Sequence, residues 1–399
     1  MNADLKMMGG KMLLPAALVF LYYGTGCFPK PEPITWEKTF GGTSFDRAYS
    51  IDQTADGGYV LAGQTSSFSA GGYDYYIIKL DELGNITWQK NFGGASAEIA
   101  RSVRQTDDGG YIVTGRSSSF KVGYCDFYII KLDASGNKSW EKVYGGDSWD
   151  DPYSIQQTED GGYIVAGHTE SIGAGKYDVY VMKLDANGDQ VWDETYGGTE
   201  NDAASSIQQT ADGGYIVAGY TASAGAGGMD IWVLKLDSNG TLIWDEAFGG
   251  SDHDAANAIW QTTDGGYIVA GYTEASGAGG KDIWVLKLTG SGTVSWDDFF
   301  GGTEDDEAKS IQQTADGEYV VAGTAGTAGT TDMYIAKLDE TGSRVWERYY
   351  GDTNNDAAYT VQQADDGGYI VAGYTHSPDA TGELDDDIYI LKLNEEGEL

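Results

Sequence analysis

Short apolar and aromatic runs alternate with turn-forming residues along the chain from residue 34 onward. In residues 206–250 the runs read SIQQT, YIVAGYT, DIWVLKL and LIWDEAF, and segments rich in Gly, Asp, Ser and Asn separate them. Val, Ile, Tyr and Trp favour extended backbone, whereas Gly and Asp favour tight turns. The pattern therefore predicts four short β-strands in this segment, and no helical periodicity accompanies it.

The four-strand unit recurs seven times, as two aromatic series show. A tyrosine follows the Asp-Gly turn at Tyr59, Tyr111, Tyr163, Tyr215, Tyr267, Tyr319 and Tyr369. A tryptophan keeps the same spacing at Trp36, Trp88, Trp140, Trp192, Trp244, Trp296 and Trp346. Four antiparallel strands in a repeat of about 50 residues are typical of a β-propeller blade. Residues 34–399 are therefore predicted to form an all-β, seven-bladed β-propeller.

The offset between the two series predicts how the ring closes. The last repeat ends before its own tryptophan strand, and a matching strand, ITWEK, stands at residues 34–38. We expect this amino-terminal strand to complete the blade formed by the carboxy-terminal strands. Such a closure pairs the strand edges that an open ring would expose.

The repeated segments DGGYIVAG, KLD and FGG, with the tryptophan, resemble the seven-bladed propeller repeat of secreted and lipid-anchored prokaryotic proteins. The resemblance covers residues 34–399 and is specific for the fold. It implies little about activity, because propellers serve as binding modules and as enzymes.

Composition narrows the range of partners. The chain carries 24 Lys and Arg against 62 Asp and Glu, a formal charge of −38. Binding to phosphate backbones or anionic lipid headgroups depends on cationic side chains, so nucleic-acid and polybasic membrane partners are excluded. Apolar residues make up 41% of the chain, which indicates a folded protein despite this charge. The acidity suits a saline or extracellular setting.

The amino terminus has the features of an export signal. Lys6 and Lys11 precede the apolar run MLLPAALVFLYY, and Gly24-Thr-Gly precedes Cys27. Residues 1–26 are therefore predicted to be a signal peptide. The cysteine at this position resembles a prokaryotic lipoprotein signal, which implies acylation of Cys27, a Pro-rich tether over 27–33 and attachment to the cell membrane, at the cell surface or in the periplasm. The alternative is a plain secretory signal with a chance cysteine.

Charged positions recur in every blade. One carboxylate series follows the Gly-Gly segment: Asp46, Glu98, Asp150, Asp202, Asp254, Asp306 and Asp356. A second begins the third strand: Asp74, Asp126, Asp178, Asp230, Asp282, Asp332 and Asp387. Rings of carboxylates would suit Ca²⁺, whereas short carboxylates also accept hydrogen bonds within their own loops, with the repeated lysines from Lys79 onward as possible partners. We favour the structural role and expect no cofactor.

Departures from the repeat point to a binding face. Loops before the first strand and between the second and third strands are expected to share one face of the ring. The candidate residues, including one on the first strand of blade 5, are Phe68, Tyr73, Phe120, Lys121, Tyr124, Trp149, His253 and Trp260. Exposed aromatic side chains on loops suit recognition of a sugar or a protein. The alternative is that Phe68 and Phe120 pack against their own blades.

Catalysis receives little support from the sequence. The chain has three histidines, in three different repeats, and no nucleophile or metal-binding motif. Asn85, Asn137 and Asn239 match a glycosylation pattern, but they lie in turns that favour Asn. The acidic loop 376–387 is predicted to be solvated. We expect a lipid-anchored binding or scaffolding module for protein or glycan partners, not an enzyme; the alternative is a polysaccharide lyase or hydrolase with its site at the channel mouth.

Overall fold

A computed structural model describes residues 34–120, 123–327, 329–378 and 384–399. These residues form strands and turns and no helix, and the strands assemble into seven four-stranded antiparallel sheets. The strands are β1 (Trp36–Phe40), β2 (Asp46–Gln53), β3 (Tyr59–Thr65), β4 (Asp74–Leu80), β5 (Ile86–Phe92), β6 (Glu98–Gln105), β7 (Tyr111–Ser117), β8 (Asp126–Leu132), β9 (Lys138–Tyr144), β10 (Asp150–Gln157), β11 (Tyr163–Thr169), β12 (Asp178–Leu184), β13 (Gln190–Tyr196), β14 (Asp202–Gln209), β15 (Tyr215–Thr221), β16 (Asp230–Leu236), β17 (Leu242–Phe248), β18 (Asp254–Gln261), β19 (Tyr267–Thr273), β20 (Asp282–Leu288), β21 (Val294–Phe300), β22 (Glu307–Gln313), β23 (Tyr319–Thr327), β24 (Thr330–Leu338), β25 (Arg344–Tyr350), β26 (Asp356–Gln363), β27 (Tyr369–Pro378) and β28 (Leu384–Leu393).

Each sheet is one blade of a seven-bladed propeller. Blades 1 to 6 take four consecutive strands each, from β2–β5 to β22–β25. Blade 7 has the order β1-β28-β27-β26, in which β1 pairs antiparallel with β28 from Trp36 opposite Lys392 to Phe40 opposite Ile388. The predicted ring closure by the amino-terminal strand is therefore confirmed.

Burial follows the position of each strand in its blade. The second and third strands are nearly continuous runs of buried side chains, as in β3 and β4 of blade 1. The fourth strand alternates between exposed and half-buried positions, as in β5. The apolar clusters each combine residues of two neighbouring blades, so the core lies between blades rather than within a single sheet.

A repeated aromatic contact joins neighbouring blades. The Trp140 ring of blade 2 meets the Tyr163 ring of blade 3 edge-on, with centroids 5.9 Å apart. Gly188, in a turn of blade 3, has a φ of +80°, and a Cβ there would lie 2.7 Å from Cη2 of Trp140. The tryptophan, the tyrosine and the turn glycine thus repeat together because they form one contact between neighbouring blades, which we call the joint.

The repeated lysines stabilise the hairpin between the first and second strands. Lys79 is buried, and its Nζ lies 3.0 Å from Asp56 of that hairpin. Partial burial raises the pKa of Asp56, but hydrogen bonds from Thr54, Lys79 and Gly58 outweigh this effect and lower it to about 2. Lys79 does not pair with Asp74, because five residues along a strand separate their positions by about 17 Å.

Candidate functional site

Two sets of loops meet on one face of the ring, which we call the loop face. One set enters the first strand of each blade, and the other joins the second and third strands. Their backbones are hydrogen-bonded, as between Ser66 N and Phe45 O at 2.9 Å and between Glu170 N and Trp149 O at 2.7 Å. The face predicted from the strand order is therefore present.

The repeated carboxylates serve these loops. Asp150 is fully buried and accepts hydrogen bonds from Gly146 N at 2.8 Å and from the Ser171 hydroxyl at 2.7 Å. In the second series, Asp178 accepts a hydrogen bond from Gly175 N at 3.0 Å. These contacts support the loop-stabilising interpretation. Within the part of the chain that the structure describes, no group of three or more His, Cys, Asp and Glu side chains is arranged to hold a metal ion.

Phe68 and Phe120 pack against aromatic residues of their own blades. The Phe68 ring lies 5.5 Å from that of Tyr76, and the Phe120 ring 5.2 Å from that of Tyr128. Phe68 is nevertheless 43% exposed and Phe120 40% exposed. Each ring thus packs partly against its own blade, as the alternative in the sequence analysis expects, and also keeps a large part of its surface exposed to solvent.

Tyr124 and Trp149 come together on the loop face between blades 2 and 3. Their rings are nearly parallel, at 8°, with centroids 6.3 Å apart. Tyr124 is 62% exposed and Trp149 41% exposed. The Arg116 guanidinium lies 5.9 Å from the centre of the Trp149 ring. We call Tyr124 and Trp149 the aromatic pair.

The remaining loop candidates have other surroundings. Tyr73 is partly buried, and its carbonyl accepts a hydrogen bond from Glu98 N at 2.7 Å. His253 Nδ1 accepts a hydrogen bond from Met229 N at 3.1 Å. In the next blade Asp305 accepts the equivalent hydrogen bond, from Lys281 N. His253 therefore makes the same loop contact as an ordinary repeat residue. Lys121 lies outside the described residues.

Trp260 lies inside the channel, away from the loop face. It stands six residues after the start of β18, and it packs against the apolar cluster shared by blades 5 and 6. It borders a channel cavity of about 130 Å³ that Asp52 and Arg104 also line. In blades 3, 4, 6 and 7 a glutamine at this position accepts a hydrogen bond from the next blade, as Gln208 does from Gln261 N at 2.7 Å. An indole cannot accept that bond.

The first strand of every blade contains a β-bulge near the loop face. In β2 the register shifts between Ala48 and Ser50, which leaves Tyr49 as the extra residue. A bulge residue has no partner opposite it, so its side chain is free of the sheet's alternation. We call the seven such residues the bulge ring: Tyr49, Arg101, Tyr153, Ser205, Asn257, Lys309 and Tyr359.

The bulge ring surrounds the end of the central channel on the loop face, which we call the channel mouth. Arg101 is the centre of a cluster of aromatic and cationic side chains there. Its guanidinium carbon lies 5.0 Å from the Tyr49 ring and 5.3 Å from the Tyr153 ring. Asp151, which is 5% exposed at its side chain, lies 3.9 Å from Arg101 and 3.3 Å from Arg116. Asp151 Oδ1 and Arg101 Nε are both buried without a hydrogen-bond partner. The cluster therefore holds two cations against one carboxylate.

Two histidine and tyrosine contacts extend this cluster. The His168 ring lies 5.9 Å from that of Tyr153 and 4.7 Å from that of Tyr177. Burial lowers the pKa of His168, which favours the neutral imidazole. Burial also raises the pKa of Tyr153 to about 12. Both side chains are therefore uncharged hydrogen-bonding groups at neutral pH.

On the other side of the mouth the charged groups are mutually satisfied. Glu307 lies 2.7 Å from Lys309 and 3.7 Å from Lys281, and it accepts a hydrogen bond from Asn257 at 2.9 Å. Burial raises the pKa of Glu307, but the two lysines lower it further than burial raises it. This carboxylate is therefore held ionised within a closed network.

The end of the acidic loop in blade 7 is not solvated, contrary to the sequence prediction. Asp386 is buried, accepts a hydrogen bond from Arg47 Nε at 2.6 Å and lies 2.7 Å from His376 Nδ1. Arg47 in turn lies over the Tyr374 ring at 4.4 Å. The extended hairpin of β27 and β28 brings this carboxylate to the mouth, while Asp379 and Glu383 lie outside the described residues.

The bulge residues at the channel mouth were not among the site residues predicted from the sequence. Two signals were present in the sequence. Of six arginines in the chain, four lie in the first two blades, namely Arg47, Arg101, Arg104 and Arg116. The bulge residue also differs from blade to blade between flanking residues that repeat.

Comparisons with known proteins support the fold. A family model described as "Domain of unknown function (DUF5122) beta-propeller" matches residues 314–344, within blade 6. No protein of curated function matches the sequence. The WD40 domain of Pan2 from Neurospora crassa is 12% identical, with a TM-score of 0.54, over 88% of this chain and 91% of that one. The periplasmic gluconolactonase PpgL of Pseudomonas aeruginosa is 12% identical, with a TM-score of 0.51, over 85% of this chain and 97% of that one.

These likenesses show a β-propeller repeat protein and go no further. One of the two structures is a WD40 domain and the other an enzyme, so the shared architecture does not select between binding and catalysis. Among the described residues, none forms a helix of the length and apolarity that crossing a membrane requires.

Proposed function

We propose that the chain is a binding module that recognises a glycan or protein partner at the channel mouth and the adjacent aromatic pair. The observation that carries this proposal is Arg101, a partly exposed cation held between two tyrosines at the mouth of the ring, with its charged partner Asp151 3.9 Å away. An arginine in such surroundings offers planar hydrogen-bond donors that a partner can use.

The aromatic pair supports the same interpretation. Tyr124 and Trp149 expose large ring surfaces beside Arg116, which links them to Arg101 through the shared carboxylate of Asp151. Large aromatic side chains contribute much contact area at a small cost in conformational entropy. Binding sites in proteins commonly combine such surfaces with a few convergent polar groups.

The test is a glycan array combined with capture of envelope proteins. The unaltered chain is compared with a Tyr124→Ala, Trp149→Ala double variant. The control is Val191→Ala, Ile243→Ala, which removes side chains that are 60% and 57% exposed on outer strands. We expect one partner that the control retains and the double variant loses. Retention by all three proteins would refute the proposed site.

The same preparations test the enzymatic alternative. We propose binding without turnover, in keeping with the lack of a nucleophile or metal-binding motif in the sequence. Incubation with the bound glycan is followed by assays for reducing ends and for unsaturated sugars. Release of either product, lost in the Arg101→Gln variant, would establish a lyase or hydrolase instead.

The proposal includes an extracytoplasmic location through an acylated Cys27. Its support is the export-signal pattern of residues 1–26 and the cysteine that follows them. Expression in a prokaryotic host, followed by mass spectrometry of the membrane fraction, should find a diacylglycerol-modified Cys27. The Cys27→Ser variant should leave that fraction, and unmodified Cys27 in the mature protein would refute the anchor.

A further inference from the structure

The channel mouth has the chemistry of a carboxylate-binding site. We propose that the partner is an acidic glycan, a chain of uronate sugars, in which one sugar ring stacks on the aromatic pair while the carboxylate of a neighbouring sugar is bound by Arg101. This inference rests on the proposed function and adds the chemical class of the ligand to it.

The charge at the mouth is the first argument. In a chain of −38, the mouth gathers Arg47, Arg101, Arg116, Lys281 and Lys309. The carboxylates that pair with them are Asp151, Glu307 and Asp386. Glu307 satisfies Lys281 and Lys309, and Asp386 satisfies Arg47, whereas Arg101 and Arg116 share the single carboxylate of Asp151.

Arg101 is the cation that is least satisfied. Arg47 donates to Asp386 at 2.6 Å and Lys309 lies 2.7 Å from Glu307, whereas the charged partner of Arg101 is 3.9 Å away and shared with Arg116. Arg101 also keeps 21% of its side-chain surface exposed. Guanidinium groups bind carboxylates through two parallel hydrogen bonds, a geometry that Asp151 does not supply at this distance.

The neighbouring groups favour a sugar over an acidic peptide. Exposed faces of parallel aromatic rings match the apolar face of a pyranose, and neutral Tyr153 and His168 offer hydrogen bonds to hydroxyl groups. Peptides are commonly bound by addition to a free strand edge or in an apolar groove. The first strands form the inner edges of their sheets, but side chains of neighbouring blades already bind amides of these edges, as Asp52 does for Gln105 N at 2.8 Å and Gln362 for Gln53 N at 2.8 Å. An added peptide strand would have to displace such contacts.

The test uses titration calorimetry on the full chain. The probes are oligomers of galacturonate, glucuronate and mannuronate, each with its carboxyl-reduced neutral counterpart, and hexaglutamate as the acidic peptide. We expect at least one uronate oligomer to bind about tenfold or more tightly than its neutral counterpart, since a charge-assisted hydrogen bond discriminates by that factor. Hexaglutamate should bind at least tenfold more weakly than that oligomer.

Variants separate the carboxylate contact from stacking. Arg101→Gln should abolish the preference for the charged oligomer, and Arg101→Lys should retain a part of it. Trp149→Ala should weaken binding of the charged and neutral forms by the same factor. Arg344→Gln, which removes an arginine of the outer strand of blade 6, is the matched control and should change nothing. Melting temperatures establish that each variant is folded.

Several outcomes would overturn the inference. Equal binding of charged and neutral oligomers, an unchanged preference in Arg101→Gln, or tighter binding of hexaglutamate would each do so. A neutral glycan or a protein that is lost in the aromatic double variant but kept in Arg101→Gln would overturn the acidic-glycan inference alone and leave the proposed binding function standing. If no glycan or protein binds in a way that the variants of the mouth or of the aromatic pair weaken, both the acidic-glycan inference and the proposed binding function are overturned.

Discussion

The contact between a turn glycine and the tryptophan of the preceding blade can be tested by comparing two glycines of blade 3. Gly161 and Gly188 both have a φ of +80°. A Cβ on Gly161 would meet no atom within 4 Å, whereas on Gly188 it would lie 2.7 Å from Trp140. Substitution of each by alanine therefore separates backbone strain from steric overlap.

The expected costs follow from these geometries. An alanine in the left-handed region costs about 1–2 kcal/mol, which is the whole expected effect of Gly161→Ala. Gly188→Ala adds the displacement of an indole ring, and overpacking of this kind costs about 1–3 kcal/mol. We therefore expect Gly188→Ala to lower the free energy of unfolding by about 2–5 kcal/mol.

The assay is denaturant unfolding of the two variants in the natural chain and in the Trp140→Ala background. Removal of the indole should abolish the extra cost of Gly188→Ala, so that both alanines then destabilise equally. Such non-additivity is expected of residues in direct contact. Equal costs in the natural chain, or an extra cost that persists without Trp140, would refute the joint as described.

Three further predictions concern stability. A chain that starts after Gly42 lacks β1 and should melt well below a chain that starts at Ile34; equal melting temperatures would contradict closure of the ring by β1. Between blades 6 and 7 the Ser310 hydroxyl accepts a hydrogen bond from Val361 N, and Ala258 is the equivalent residue of blade 5. Ala258→Ser should add the corresponding hydrogen bond and raise stability by up to about 1 kcal/mol, measured as the denaturation midpoint. Hydrogen bonds from Thr and Lys side chains and turn amides overcome burial at six hairpin aspartates and lower each pKa to about 2, namely at Asp56, Asp108, Asp160, Asp212, Asp264 and Asp316. Since this is below the unfolded value of about 3.9, their contribution is present above that pH and should be lost between about pH 4 and 2; a melting temperature constant over that range would contradict it.

The fold could be predicted from the sequence because its determinants are local and repeated. The strand runs, the Asp-Gly hairpins and the aromatic series each recur with one period, and a missing strand at one end matched a surplus strand at the other. The joint made by Trp140, Tyr163 and Gly188 explains why those residue types keep that period. Repetition of this kind constrains backbone and packing, which is why it predicted architecture well.

The sequence could not predict which aspartate each repeated lysine contacts, and the reason is geometric. Lys79 follows Asp74 closely in sequence, but an extended strand places them at opposite ends of the blade. The aspartate that Lys79 contacts, Asp56, is 23 residues away in the chain and belongs to a different turn. Contacts between strands depend on register, which periodicity alone does not determine.

The bulge residues of the channel mouth could not be predicted as site residues for a related reason. A regular strand alternates its side chains between two faces, so each position inherits its surroundings from the repeat. The bulge between Ala100 and Ser102 leaves Arg101 outside this alternation, without a residue opposite it. Blade packing therefore constrains the flanking alanine and serine but not the arginine. The same backbone irregularity in seven blades thus places five different residue types around one opening, namely Tyr, Arg, Ser, Asn and Lys, and this gives a symmetric scaffold an asymmetric site.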